Sequence, residues 1–360
     1  MQRNTHAGDA GAAYAFLLGT ERSGSTWLAN ILDSHPAVEL FMEPFAEYAS
    51  LFPGFPSRSQ YLEQANPELL KRLRTDFDQL YRKKHPFLYR PSLPLQLKNF
   101  DRCLVSLTRR TIARFSNRLS LPLRRYECLN LNTRDIPTRL QTRKTPSPAL
   151  LLTKELRLNL KVRLLSKAFP GARYIVILRH PGVQIASIKR LFQAGSLTEL
   201  KRSLPDFEKA LASSQRFNRY RNVSRETARR PDIDTSLALW WLVQNEILLE
   251  DLQRSHAPAH IARHEDLCAD PSRESSKICE FLDLSPSSCI DDFIQASSKQ
   301  TGSGSEVDTF RESSTFCNKS FQTLDPNMMR KIADTLGSVD IRDELKPYRD
   351  SCRASQSSDR

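Results

Sequence analysis

The sequence holds no run of about 18 apolar residues, the length that a membrane-spanning helix requires. Nor does Met1 to Ala13 contain the apolar stretch of a secretory signal. These absences lead to the expectation of a soluble, cytoplasmic protein, or of the lumenal domain of an anchored parent. Seven cysteines are scattered with no C-x-x-C pair, which excludes zinc ribbons and thioredoxin-type sites and favours free thiols. No metal is expected. Acidic residues are scarce in one place only. Residues 51–150 carry 20 Lys and Arg against 7 Asp and Glu, while the remainder holds 34 of each. The whole net charge of +13 therefore lies in that segment. Such a run is either a solvated face or a wall that attracts an anionic partner.

What is present begins with Tyr14 to Phe45. An apolar run, Tyr14 to Leu18, predicts a buried strand. Gly19 to Gly24 read as a tight turn of small residues. From Thr26 onward, Trp27, Leu28, Ile31 and Leu32 share one helical face. A strand, a glycine-bearing loop and a helix N-terminus make an anion cradle, because free N–H groups and the positive helix end both point at the ligand. The spacing of Gly19, Gly24 and Thr26 matches a nucleoside-triphosphate P-loop, G-x-x-x-x-G-K-[ST], but the lysine position is Ser25. The loop's cation is Arg22 instead. An arginine fork beside the hydroxyls of Ser23, Ser25 and Thr26 suits a single phosphate or sulfonate group. The plainer alternative is an ordinary strand-to-helix turn with a surface arginine.

Further strand-loop-helix units follow. Leu150 to Leu152 predict a short buried strand ending at Thr153-Lys154, and Arg157 to Phe169 read as helix. Ala172 to Leu178, ARYIVIL, is the clearest parallel-strand run in the chain. It ends in Arg179-His180-Pro181, and Ser187 lies eight residues beyond Arg179 in the next helix. Ser236 to Leu252 is a long apolar helix with Trp240 and Trp241 in the core. Ala259 to Arg263 is a strand, and Asp270-Pro271 supplies the cap and first residue of a helix over Ser272 to Leu282. Two stretches break the alternation and read as helical insertions: the basic 50–148, and the polar 193–235 anchored by Phe207, Leu211 and Phe217. The expected architecture is one α/β domain over 12–350, with a P-loop-like central parallel sheet flanked by helices. A polar disordered tail is expected at 351–360.

Arg22-Ser23-Gly24-Ser25-Thr26-Trp27 resembles the 5′-phosphosulfate loop of sulfotransferases, whose pattern is [KR]-[ST]-G-[ST]-[ST]. Those enzymes use 3′-phosphoadenosine 5′-phosphosulfate (PAPS). Leu32-Asp33-Ser34-His35-Pro36 and Met42-Glu43-Pro44 resemble the Golgi carbohydrate and tyrosylprotein branches. The phrase LRHPGVQIASIKR resembles the family's 3′-phosphate motif, carried by Arg179 and Ser187, with His180 where an acidic residue is common. Arg263 to Pro271 resembles the R-Y-E-D-L-x-x-x-P stretch, with His264 in place of tyrosine, and is read as structural.

The resemblance implies sulfuryl transfer from PAPS to a hydroxyl or amine, with a glycan, anionic if the basic insertion attracts it, as the expected acceptor. It implies co-substrate contacts from Arg22, Ser23, Gly24, Ser25, Thr26, Arg179 and Ser187, adenine stacking by Trp27, and closure over the 3′-phosphate by Arg311. Glu43 is the expected catalytic base, effective if partial burial raises its pKa. Lys154 is expected to neutralise the transferring sulfonate, and Arg22 to stabilise the leaving oxygen. A histidine base, as in the small-molecule branch, is the alternative. Two other functions compete. A P-loop kinase or NTPase lacks its lysine and its acidic Mg²⁺ ligand. A non-catalytic polyanion-binding module leaves both loops unexplained. No nucleic-acid partner is expected.

Overall fold

A computed structural model of the chain describes residues 13–45, 55, 58–62, 66–83, 150–193, 195, 197–213, 215–229, 232–298 and 321–354. Most of the basic insertion and Arg311 lie outside the described residues. The strands are β1 (Ala13–Gly19), β2 (Val38–Met42), β3 (Leu150–Glu155), β4 (Arg173–Leu178) and β5 (Ala259–Arg263). They form one sheet in the order β2-β3-β1-β4-β5, and every neighbouring pair is parallel. Continuous apolar runs suit this position, since helices cover both faces of a parallel sheet.

The helices are α1 (Ser25–Asp33), α2 (Pro67–Lys83), α3 (Val162–Ala168), α4 (Pro181–Gln193), α5 (Thr198–Ser213) and α6 (Arg221–Arg229). Beyond them lie α7 (Ile233–Arg254), α8 (His264–Ala269), α9 (Pro271–Phe281), α10 (Ser288–Ser298), α11 (Pro326–Gly337) and α12 (Lys346–Ala354). Side chains alternate across the sheet. Phe16, Leu18, Tyr174 and Val176 join the cluster that contains Trp240 and Trp241 of α7, while Ala15, Leu17, Ile175 and Ile177 join Leu28 and Ile31 of α1. Phe207, Leu211 and Phe217 are buried in the first cluster, and the Phe207 ring meets Trp240 edge-on at 4.7 Å. Asp232 caps α7 by accepting the Thr235 N–H at 3.0 Å.

Two sequence expectations are corrected. Arg157 to Phe169 is not one helix: a 3-10 turn, Asn159–Lys161, precedes α3. Its side chains are drawn elsewhere. Asn159 Nδ2 donates to the Gly19 carbonyl at 3.1 Å, and Lys161 Nζ to the Gln60 carbonyl at 2.8 Å. The polar tail also begins later than 351, because α12 continues through Ala354. Cys352 is fully buried there, its Sγ 3.7 Å from His180 Nε2. Among the described residues, no helix is long and apolar enough to cross a membrane.

The chain leaves β1 toward β2 and β3 on one side, then toward β4 and β5 on the other. In open parallel sheets a ligand crevice opens at such a reversal, beyond the carboxyl ends of the strands. The turns after β1, β3 and β4 meet at that point, with the end of β2 alongside.

Candidate active site

The turn after β1 folds back through the Ser23 N–H, which donates to the Thr20 carbonyl at 3.2 Å. Arg22 and Gly24 within it have φ of 65° and 91°. Gly24 is the N-cap of α1, and no side chain caps the helix there. The Trp27 N–H turns back to the Gly24 carbonyl at 3.0 Å, while the N–H groups of Ser25 and Thr26 precede the first carbonyl that the helix could offer them and face a ligand. A Cβ on Gly24 would lie 2.1 Å from His264 Cδ2, so the imidazole of α8 forms the floor of the cradle. Ser23 Oγ is buried without a hydrogen-bond partner. Ser25 is buried at the first helical position and Thr26 is half-buried beside it. An orphaned hydroxyl, an uncapped helix end and a floor that excludes a Cβ fit a bound phosphate or sulfonate oxygen.

The turn after β4 is stitched to this loop. Arg22 Nε donates to Ser187 Oγ of α4 at 3.0 Å, and Arg179 Nη1 donates to the Arg22 carbonyl at 2.7 Å. Trp241 Nε1 holds the Arg179 carbonyl at 3.1 Å. Glu265 accepts the His180 N–H at 2.9 Å and the Tyr348 hydroxyl at 3.4 Å. Burial, with Arg179 adding to it, pulls the His180 pKa down to about 4. Burial also holds His264 well below its ordinary value, with the charges of Arg179 and Arg22 acting in the same direction. Both rings are therefore neutral near pH 7, and the positive charge of the site resides on the arginines.

A third group closes the other side. Glu43 follows β2 with φ of 49°, and its N–H donates to the Lys154 carbonyl at 2.8 Å. Its carboxylate is paired with Lys154 Nζ and with Arg157 Nη1, the latter at 3.1 Å. Glu155 is fully buried and accepts N–H groups from Phe45 at 2.9 Å, Leu156 at 2.8 Å and Arg157 at 3.1 Å. The raised pKa expected for Glu43 is corrected here. Burial does push it up, but Lys154 and Arg157 outweigh burial and hold it at about 2. Burial lowers the pKa of Lys154, with Glu43 opposing it.

The structure thus brings together Arg22, Ser23, Gly24, Ser25, Thr26, Arg179 and Ser187, and sets Glu43 and Lys154 at the neighbouring strand ends. Trp27 is different. Its indole lies in the core against the edge of His264, and Nε1 donates to Ser297 Oγ at 3.2 Å. The expected adenine stack is replaced by core packing, because the helical face carrying Leu28 and Ile31 is the face that meets the sheet. Sequence reasoning missed Arg157, Glu155 and Glu265, and read His264 as structural only. The acidic residues adjoin recognised motifs, but Phe45, which Glu155 ties down, and His180 and Tyr348, which Glu265 ties down, come from distant parts of the chain.

Solved structures similar to this chain include a sulfotransferase domain from the curacin biosynthetic pathway, 18% identical, covering 96% of this chain and 98% of that one, with a TM-score of 0.40. Another is a sulfotransferase domain from the olefin synthase of Synechococcus PCC 7002, 18% identical over 100% and 99% of the two chains, at 0.36. Mouse sulfotransferase SULT7A1, solved in complex with PAP, is 10% identical over 96% and 88%, at 0.37. No curated protein sequence matches the chain. The sequence model of the sulfotransferase family does match, over residues 15–288, a span that holds the turns after β1 and β4 and the Glu43 cluster. The chain belongs to the sulfotransferase family.

Proposed function

We propose that this protein transfers a sulfuryl group from PAPS to a hydroxyl or amine acceptor, with an anionic glycan as the acceptor class. One observation carries the reading: Arg22 reaches from the turn after β1 to Ser187, while Arg179 holds the Arg22 carbonyl. Two anion sites joined this way suit a nucleotide with anionic groups on both the 3′ and 5′ oxygens of one ribose. A nucleoside triphosphate instead needs a lysine at Ser25.

In this reading the hydroxyls and N–H groups of Ser23 to Thr26 hold the 5′-phosphosulfate, and Arg179 with Ser187 holds the 3′-phosphate. PAPS supplies the activated sulfonate. The acceptor oxygen bonds to sulfur as the bond from sulfur to the phosphate oxygen breaks, and that oxygen keeps the electron pair. Arg22 and the loop N–H groups favour the charge that grows there. Lys154 balances the sulfonate. Glu43 takes the acceptor proton from the end of β2, one strand beyond Lys154. The positive charge of residues 51–150 supports an anionic acceptor.

A calorimetric titration tests the assignment. Tight binding of adenosine 3′,5′-bisphosphate, with none of ATP and Mg²⁺, is expected; the opposite preference overturns it. A sulfate-transfer screen over glycans, tyrosine peptides and phenols then identifies the acceptor class.

A further inference from the structure

Lys154 stands between the two halves of the site. Its strand, β3, pairs with β1 on one side and β2 on the other, and Lys154 itself is in register with Leu17 and Met42. Leu17 lies two residues before the anion-binding turn begins at Gly19, and Met42 immediately precedes Glu43. The amine has the sulfonate loop on one flank and the carboxylate on the other.

Its partner in the structure is the carboxylate. Lys154 is paired with Glu43 Oε1, and its side chain is 1% exposed where that of Glu43 is 18% exposed. An amine covered in this way has its charge shared with that counter-ion, and a sulfonate arriving at the neighbouring loop competes with the carboxylate for it. The second cation is held differently. Arg157 Nη1 is shared between Glu43 Oε2 at 3.1 Å and Glu155 Oε1 at 3.2 Å. Glu155 is in turn fixed by the N–H groups of Phe45, Leu156 and Arg157. Arg157 is therefore anchored on its own strand end, and Lys154 is the cation free to change partner.

We propose that Lys154 is an exchangeable counter-ion: a sulfonate held by the 22–26 turn draws it away from Glu43, so that co-substrate binding itself turns a neutralised carboxylate into a proton acceptor. The inference rests on the PAPS-dependent reaction proposed above. Its physical basis is that an opposite charge a few ångströms away favours the ionised carboxylate, whereas burial disfavours it. The charged groups facing Glu43 are Lys154 and Arg157, and those facing Lys154 are Glu43, Glu155 and Arg157. When Lys154 leaves, one of the two cations opposing burial at Glu43 is lost, and its proton affinity rises. Donor binding thus precedes productive binding of the acceptor.

A group whose pKa rises on ligand binding takes up protons. The test is calorimetry at mildly acidic pH in buffers of different ionisation enthalpy, comparing wild type with Glu43→Gln for the same nucleotide. The nucleotide's own ionisations then cancel. With PAPS, wild type takes up a fraction of a proton that the variant does not. With adenosine 3′,5′-bisphosphate, which has no sulfonate, the two proteins behave alike. If Glu43→Gln does not fold, infrared difference spectra of wild type serve instead: a protonated-carboxyl band grows with PAPS and not with the bisphosphate. Equal proton uptake in both proteins, or no such band, overturns the exchange. Failure of both nucleotides to bind overturns the proposed function, and the exchange with it.

Discussion

Arg22 and Ser187 are 165 residues apart in the chain, yet the Arg22 Nε–H donates to the Ser187 hydroxyl at 3.0 Å. Arg179 closes the link through the Arg22 carbonyl at 2.7 Å. Arg22 has a positive φ in this turn, and it offers its carbonyl to Arg179 while its side chain reaches α4. A site built this way presents one patch of charge to a ligand that spans both turns.

Removal of either arginine should therefore be costly. Arg22→Ala and Arg179→Ala are each expected to weaken adenosine 3′,5′-bisphosphate binding by about 2–5 kcal/mol, the cost of truncating a buried charged partner. Ser187→Ala, which loses one hydrogen bond to a charged group, should cost about 1–3 kcal/mol. Calorimetry checks all three, and unchanged affinity in both arginine variants contradicts the assignment.

Gly24 combines a positive φ with close approach of His264. Gly24→Ala should lower stability by about 1–3 kcal/mol from the backbone alone, with an added loss from the contact. His264→Ala in the same chain removes the contact and leaves the backbone strain. Denaturant melts of the single and double variants separate the two contributions. A Gly24→Ala protein as stable as wild type would mean that His264 does not support the loop.

β1, β3 and β4 were legible from continuous apolar runs, and α7 from its length. The turns after β1 and β4 were legible because chain-local spacing defines them. The Glu43 cluster was legible only in part. Its partners Lys154 and Arg157 are 111 and 114 residues away, and only the register of β2 against β3 brings them together. That register also reverses the expected pKa, since burial without partners and burial between two cations act in opposite directions. Trp27 was misjudged for a related reason. Its position in the helix was right, but whether that face meets a nucleotide or the sheet is decided by packing.

His180 makes stability depend on pH. Its folded pKa of about 4 lies below the ordinary 6.5, so the unfolded chain binds the extra proton between those values. The stability is fully present above 6.5 and is lost as pH falls through about 4. The shift corresponds to on the order of 3 kcal/mol. In His180→Asn the side-chain oxygen can still accept the Gly182 N–H that Nδ1 takes at 3.2 Å. That variant should show a flatter stability curve across this range in urea melts. An unchanged slope would place the titration elsewhere.

Glu43→Gln separates the catalytic role from a structural one. Affinity for adenosine 3′,5′-bisphosphate, which has no sulfonate to compete for Lys154, should be nearly unchanged, because the turns after β1 and β4 do not include Glu43. Turnover should fall by about 10²–10⁴, the usual effect of losing a positioned acid–base group. The ascending limb of the turnover–pH profile should vanish with it. Stability gives a second reading. The carboxyl of Glu43 is depressed from 4.5 to about 2, so its contribution is fully present above 4.5 and is lost as pH falls through about 2. Any gap in stability between wild type and variant should narrow over that window. A glutamate that only shaped the turn before Pro44 would lower stability and leave turnover per folded molecule intact. Full turnover in a folded Glu43→Gln protein would remove Glu43 from the reaction. The proton would then have to go to a histidine, and His180 and His264, the two rings at the site, are both held neutral by burial beside cations.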